Sequence, residues 1–353
     1  MRFWLGLGVL VVAALVAWLV WPRGAGETEL AAERSAKVMP IAITFVTDWR
    51  AQAEQGGFYQ AKAKGFYADK GLDVTIRQGG PNVNVPQLLA AGTVEFGLGS
   101  NGFIPINMAL QGVPAKAVMA SFQKDPQILM THPRDDVSSI ADMKGKPIMI
   151  SDASIGALWL WLKAEFGFAD SQIRKYSGNL APFLTDPKMI TQGYVSSEPY
   201  LVEKQGGFEP QVYLLADNGY PGYAAMILAR TDLIDKRPDV VQAFVEASIE
   251  GWTDYLNGDP APGNGLIMAD NPDISEDVLA QAITKMRDYG LVASGDTGTL
   301  GIGAMTAERW QTFYKDMTAA GVYEGGLDLD TVYDLQFVNK GPAPKTLPAA
   351  STP

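Results

Sequence analysis

The stretch IAITFVTDWRAQAEQGGFYQAKAKGFYADKGLDVTIR, residues 41–77, sets the fold class. Ile41 to Val46 is apolar and rich in β-branched residues, which predicts a strand. Thr47 to Gln55 is a loop. From Gly56 to Lys70, Phe58, Ala61, Gly65 and Phe66 recur at helical spacing and share one face. Gly71 closes that helix as a cap, and Leu72 to Arg77 predicts a second strand. A strand, a helix and a strand in close succession form a parallel βαβ unit.

The same alternation continues outward. Gly79 to Asn82 is a turn, Val85 to Ala91 a short helix and Val94 to Gly99 a strand. Ser100-Asn101 can cap a helix running to Met108, and Lys116 to Phe122 is a further strand. The pattern restarts after residue 127. Strands are expected at Pro147–Ser151, Ile190–Val195 and Val212–Ala216, with helices at Ser154–Phe166 and Ser197–Lys204. Ala225 to Ala229 reads as a strand returning to the first unit. Helices then dominate, at Asp239–Leu256, Glu276–Tyr289 and Thr306–Ala320. The fold class is α/β with mostly parallel sheets in two lobes. One lobe comprises residues 40–127 plus 225–340, the other 128–224, with chain crossings near Gln127–Pro133 and Ala216–Ala225. Ligands of such sheets bind beyond the carboxyl ends of the strands, here in the crevice between lobes.

Composition narrows the chemistry. The 353 residues carry a formal charge of -11, one histidine and no cysteine. Disulfides, thiolate zinc sites, cysteine nucleophiles and a lipid-modified N-terminal cysteine are excluded. A lone His132 excludes a multi-histidine metal site and argues against a Ser-His-Asp triad. The acidic balance argues against nucleic acid as a partner. Arg2 followed by the apolar run Phe3–Trp21 and the small residues Gly24-Ala25-Gly26 has the order of an export signal. The run also approaches the ~20 residues of a bilayer span. Residues 1–26 are therefore expected to be a signal peptide or an N-terminal membrane anchor, residues 27–39 a linker, and residues 341–353 a disordered tail.

Ordered motifs add a family resemblance. Asp48 to Ala61, its continuation Lys64-Gly65-Phe66-Tyr67, and Leu89-Ala90-Ala91-Gly92-Thr93-Val94-Glu95-Phe96-Gly97 carry it. So do Ser197-Glu198-Pro199-Tyr200, Met305 to Trp310 and Leu327 to Tyr333. Over residues 40–338 the chain resembles the periplasmic solute-binding proteins for thiamine pyrimidine precursors, whose relatives take nitrate, taurine, aliphatic sulfonates or riboflavin. The resemblance implies a type II periplasmic binding fold with two hinge crossings. It also implies an exported receptor, periplasmic and soluble or tethered, that serves an ABC permease of the inner membrane. Arg50-Ala51-Gln52 stands where the family commonly has Pro-Asn, so the ligand can differ. One family branch makes the thiamine pyrimidine and needs a cysteine-rich segment and a histidine. This chain has no cysteine, and His132 falls near a crossing, so no enzymatic activity, cofactor or metal is expected.

The candidate ligand residues follow from position. Trp49 and Glu54 lie on the loop after the first strand, where an indole can stack on a flat heterocycle. Gly56-Gly57 opens a helix whose N–H groups can face a ligand, or simply starts a helix. Ser100 and Asn101 end the third strand, and Ser154 repeats that logic in the second lobe as a helix cap. Glu198 can accept from ring amino or N–H groups, and it would repel a sulfonate or nitrate. Tyr220 and Tyr223 sit at the second crossing and can close over a ligand. A monomer binding a nitrogen heterocycle is the expectation. An enzyme of the same fold is the alternative, with Lys62 or Lys64 as the groups able to hold a cofactor aldehyde.

Overall fold

Strand β1 (Ile41–Val46) pairs in parallel with β2 (Leu72–Arg77) along its full length, from Ile41 opposite Leu72 to Val46 opposite Arg77. In β2, Leu72, Val74 and Ile76 are buried while Asp73, Thr75 and Arg77 are exposed, the alternation of a half-covered strand. The computed structural model describes residues 39–341. The readings for residues 1–26, 27–38 and 342–353 lie outside them.

The first sheet adds β3 (Phe96–Asn101), β4 (Ala115–Phe122) and β10 (Ala224–Arg230), in the order β2-β1-β3-β10-β4. The second contains β5 (Gln127–Thr131), β6 (Ile148–Ile150), β7 (Ile173–Lys175), β8 (Ile190–Tyr194) and β9 (Gln211–Leu214), in the order β7-β6-β8-β5-β9. The two orders match position for position. In each sheet only the fourth strand runs against the others: β10 is antiparallel to β3 and β4, and β5 to β8 and β9. Both reversed strands are the first met after the chain crosses between sheets. The expected α/β architecture of two mostly parallel sheets is present.

The first crossing is tighter than the sequence suggests. The chain leaves β4 at Phe122 and enters β5 at Gln127, so Gln127–Thr131 is a wholly buried strand rather than a linker. The second crossing runs from Leu214 through the turn Leu215–Asn218 to Ala224. The helix Ala261–Asp270 and strand β7 add to the expected elements, and the helix expected at Ser154–Phe166 is split into Asp152–Ile155 and Leu158–Phe166.

The helix Pro238–Asn257 supplies much of the first core. Its Phe244 stacks on Phe96 at 4.1 Å and on Tyr67 at 5.1 Å, and meets Phe45 edge-on at 5.4 Å. Burying each such ring stabilises by roughly 1.5–3 kcal/mol. The same helix crosses Gly56–Ala63 at very short range: a Cβ on Gly57 would stand 2.2 Å from the Trp252 ring, and one on Gly251 2.1 Å from the Gly57 carbonyl. This crossing anchors the loop after β1. No helix of the described residues is long and apolar enough to cross a membrane.

Candidate functional site

The carboxyl ends of the parallel strands in both sheets open onto one cleft. It encloses about 70 Å³ of accessible space. The first sheet contributes Asp48 and Trp49 after β1, Gln52 and Gln55 on the same loop, and Ser100 and Asn101 at the end of β3. The second contributes Ser151 and Ser154 after β6, Tyr176 after β7, Tyr194 at the end of β8, and Glu198. Gln127 also lines it, because a reversed strand begins where its parallel neighbours end: Gln127 pairs with Tyr194.

The second wall is held by its own hydrogen bonds. Glu198 accepts from the Tyr194 backbone N–H at 2.7 Å and the Tyr176 hydroxyl at 3.1 Å. Gln192 Oε1 accepts from the Ser151 N–H at 2.9 Å, and the Ser151 and Ser154 hydroxyls are 2.9 Å apart. The short helix here starts at Asp152 with Ser151 before it, so Ser154 is inside the helix rather than at its cap. Glycine at 178 lets the second wall close on the first, since a Cβ there would meet Trp49 Cζ2 at 3.2 Å.

The cleft is strongly acidic. Glu54 lies behind the lining residues, 2% exposed, because the loop coils into the turn Ala53–Gln55. Its Oε1 accepts from the Ser196 hydroxyl of the opposite wall, while Oε2 has no partner among the described residues. Burial pushes its carboxyl up to about 7, and the charges of Glu198 and Asp48 push the same way. Asp48 keeps partial solvent contact, yet desolvation takes it to about 6 against a hydrogen bond from Ser100. Its Oδ1 is also unpartnered. Burial raises Glu198 as well, against its bonds from Tyr194 and Tyr176. Among the described residues no lysine or arginine lines the cleft.

Five of the nine residues singled out from the sequence line this cleft: Trp49, Ser100, Asn101, Ser154 and Glu198. Glu54 lies just beneath it. Gly57, Tyr220 and Tyr223 lie elsewhere. Gly57 packs on Trp252. Tyr220 is buried, stacked 5.8 Å from Phe103 and edge-on to Trp161 at 5.1 Å. The Tyr223 hydroxyl donates to Asp296 and accepts from the Thr306 N–H, and Arg309 lies over its ring at 4.0 Å. Asp48, Gln127, Tyr176 and Tyr194 were not singled out. Strand-end position finds Asp48, Tyr176 and Tyr194 once β7 and β8 are drawn, and strand reversal finds Gln127. His132 follows β5 at the end away from the cleft, with its Nε2 2.7 Å from the Phe183 carbonyl and its ring stacked on Phe208. Among the described residues no His, Asp and Glu cluster could hold a metal ion.

Known proteins resemble this chain in sequence and fold. The chain is 24% identical over 350 residues to the riboflavin-binding protein RibY of Chloroflexus aurantiacus, covering 96% of this chain and 98% of that protein. It is 24% identical over 229 residues to the 4-amino-5-hydroxymethyl-2-methylpyrimidine phosphate synthase of Schizosaccharomyces pombe, covering 61% and 65%. A crystal structure of the ligand-binding component of an ABC-type import system from Staphylococcus aureus superposes with a TM-score of 0.62 at 13% identity, over 87% of this chain and 100% of that one. The fold is thus that of solute binders for ABC import. The model of the family described as "NMT1/THI5 like" matches residues 52–261, from the loop under the cleft through both sheets, and the chain belongs to that family.

Proposed function

We propose that this chain is the exported, periplasmic solute receptor of an ABC importer, and that it captures a nitrogen heterocycle bearing N–H donors in the cleft between its two sheets. One observation carries the reading: the cleft presents carboxylates, amides and three aromatic rings, but no basic side chain among the described residues. Asp48 Oδ1 is an acceptor without a donor among the described residues, and a ring N–H or amino group supplies what it lacks. Trp49, Tyr176 and Tyr194 offer faces for a flat ring. A sulfonate or nitrate finds no cation among the described residues that line the cleft, and Glu198 opposes it.

The lobes, residues 40–127 plus 225–340 and 128–224, close about their two crossings onto the ligand, and the closed form docks on the permease. A single aminopyrimidine related to the thiamine precursor is the first ligand reading. Riboflavin is the second, favoured by the full-length span of the relative named for it. Catalysis is disfavoured because no histidine among the described residues faces the cleft, and Lys62 and Lys64 do not line it. Calorimetry on the purified full chain tests the reading. Pyrimidines or flavins should bind and shift tryptophan emission, and taurine and nitrate should not. Binding of the anions alone overturns it.

A further inference from the structure

Outside the cleft, a second set of bonds joins its two walls. The helix Glu198–Gly206 follows β8 and belongs to the second wall: Glu198 accepts from the Tyr194 N–H, and a Cβ on Gly193 would stand 2.8 Å from Glu198 Cβ. The helix Glu276–Asp288 belongs to the first wall. Its Arg287 Nε donates at 2.8 Å to the carbonyl of Leu256, near the end of the helix Pro238–Asn257. It also packs against the turn Ala53–Gln55 on the loop after β1.

Tyr200 and Lys204 are four apart on their helix and so share a face. Both reach Asp277 in the first turn of the other helix. The Tyr200 hydroxyl donates to Asp277 Oδ2 at 2.7 Å, and Lys204 Nζ donates to Oδ2 at 2.8 Å and Oδ1 at 3.0 Å. Ser275 stands at the N-cap position, yet its hydroxyl makes no cap bond and accepts from Lys204 Nζ at 3.1 Å. Lys204, with the Ser275 and Tyr200 hydroxyls, holds the Asp277 carboxyl well below the usual carboxylate range. An isolated surface ion pair contributes little, whereas a network on one carboxylate contributes more.

The placement couples this network to the cleft. Glu198, the first residue of the helix, lines the cleft, and Tyr200 and Lys204 follow on the same helix. Drawing Glu198 away from the first wall as part of a rigid helix pulls Tyr200 and Lys204 off Asp277. The Lys204 and Asp277 side chains are each 46% exposed, so water and salt reach this network, unlike the buried bond from Ser196 to Glu54. We infer that Tyr200, Lys204, Ser275 and Asp277 form a latch that holds the two walls together, with or without a solute, and that opens before the cleft exchanges its contents. The inference goes beyond the receptor reading, because it concerns the separation of the walls and not what lies between them.

The chain has no cysteine, so Glu209→Cys and Asp273→Cys, at exposed positions beside the two helices, take a pair of spin labels without background. Pulsed electron paramagnetic resonance on the labelled full chain, with no ligand added, should show a short-distance, closed population. Lys204→Met and Asp277→Asn should each lower the closed-to-open ratio about threefold or more. Salt at about 1 M should do the same to the parent, and the double variant should open no further than either single one. Where Asp277→Asn lowers the melting temperature by removing a charge from a helix start, Lys204→Met decides. Stopped-flow release of riboflavin, used as a probe, should quicken about threefold in Lys204→Met, the change lying in the off-rate. A fully open parent, variants as closed as the parent, or additive effects of the two substitutions overturn the inference, as does unchanged riboflavin release from an opened variant. If riboflavin does not bind the parent, that result counts against the solute reading, and the distance measurement decides the latch by itself.

Discussion

The Ser196 hydroxyl donates to Glu54 across the floor of the cleft, joining the loop after β1 to the segment after β8. Glu54 is the most deeply buried carboxyl of the site, and this bond satisfies only one of its oxygens. Its carboxyl rises from 4.5 to about 7. The folded state therefore holds a proton between those limits that the unfolded chain has released. Stability from this group is full at low pH and falls as pH rises toward 7. Glu54→Gln keeps an acceptor for Ser196 and removes the charge. Thermal melts should show the variant more stable than the parent at pH 8, on the order of 3 kcal/mol, and nearly equal at pH 4.5. Asp48 and Asp125, raised to about 6 and about 7 by burial, leave a residual slope of the same sign in the variant. Parallel curves for parent and variant would remove Glu54 from the explanation.

Glu198 is held by the Tyr194 N–H and the Tyr176 hydroxyl. Glu198→Gln retains the shape and loses the charge. A charge-assisted hydrogen bond to a ligand N–H contributes about 1.5–3 kcal/mol, so affinity for an aminopyrimidine or flavin should drop about tenfold or more. The melting temperature should hold or rise, because a desolvated charge has gone. Calorimetry and a melt on one preparation separate the two effects.

Gly178 is a joint between the walls. Its φ of +84° lies in the left-handed region, and a Cβ there would press on Trp49. Gly178→Ala should cost about 1–2 kcal/mol from the backbone alone and displace the indole. The expected readouts are a shifted emission maximum in the ligand-free protein and weaker heterocycle binding. An unchanged emission spectrum would mean that the indole does not lean on this loop.

The helix crossing gives a sharper stability contrast. Gly251→Ala drives a methyl into the Gly57 carbonyl, and the neighbouring atom is backbone that cannot step aside. More than about 3 kcal/mol should be lost, with little folded protein recovered. Gly265→Ala lies in the helix Ala261–Asp270 with nothing within 4 Å of the new Cβ. It should stabilise by roughly 0.5–1 kcal/mol. Denaturant melts of the two variants decide the matter.

What the sequence revealed of this molecule depended on how locally each feature is encoded. The pair β1 and β2 was legible because β1 is an apolar, β-branched run and Gly71 marks the start of an alternating β2. Strand β5 was not, since Ile128-Leu129-Met130 is buried on both faces and such a run has no period to read. That hid the true crossing, and with it the place of Gln127. Trp49, Ser100, Asn101 and Glu198 were reachable from strand-end position alone. Gly57 was not, because the ring it receives belongs to Trp252, far along the chain. Tyr176 ends a strand of three residues whose side chains are mostly exposed, too short and too polar to announce itself.

Both crossings deliver the chain into a reversed strand, so each enters its sheet at the rim that faces solute. Gln127 is at once a lining side chain and the first residue past the joint, tied to Asp125 by its own N–H at 2.8 Å. Under the receptor reading, a solute hydrogen-bonded to Gln127 touches the crossing directly, so a Gln127 substitution changes binding and the crossing's own hydrogen bonds together.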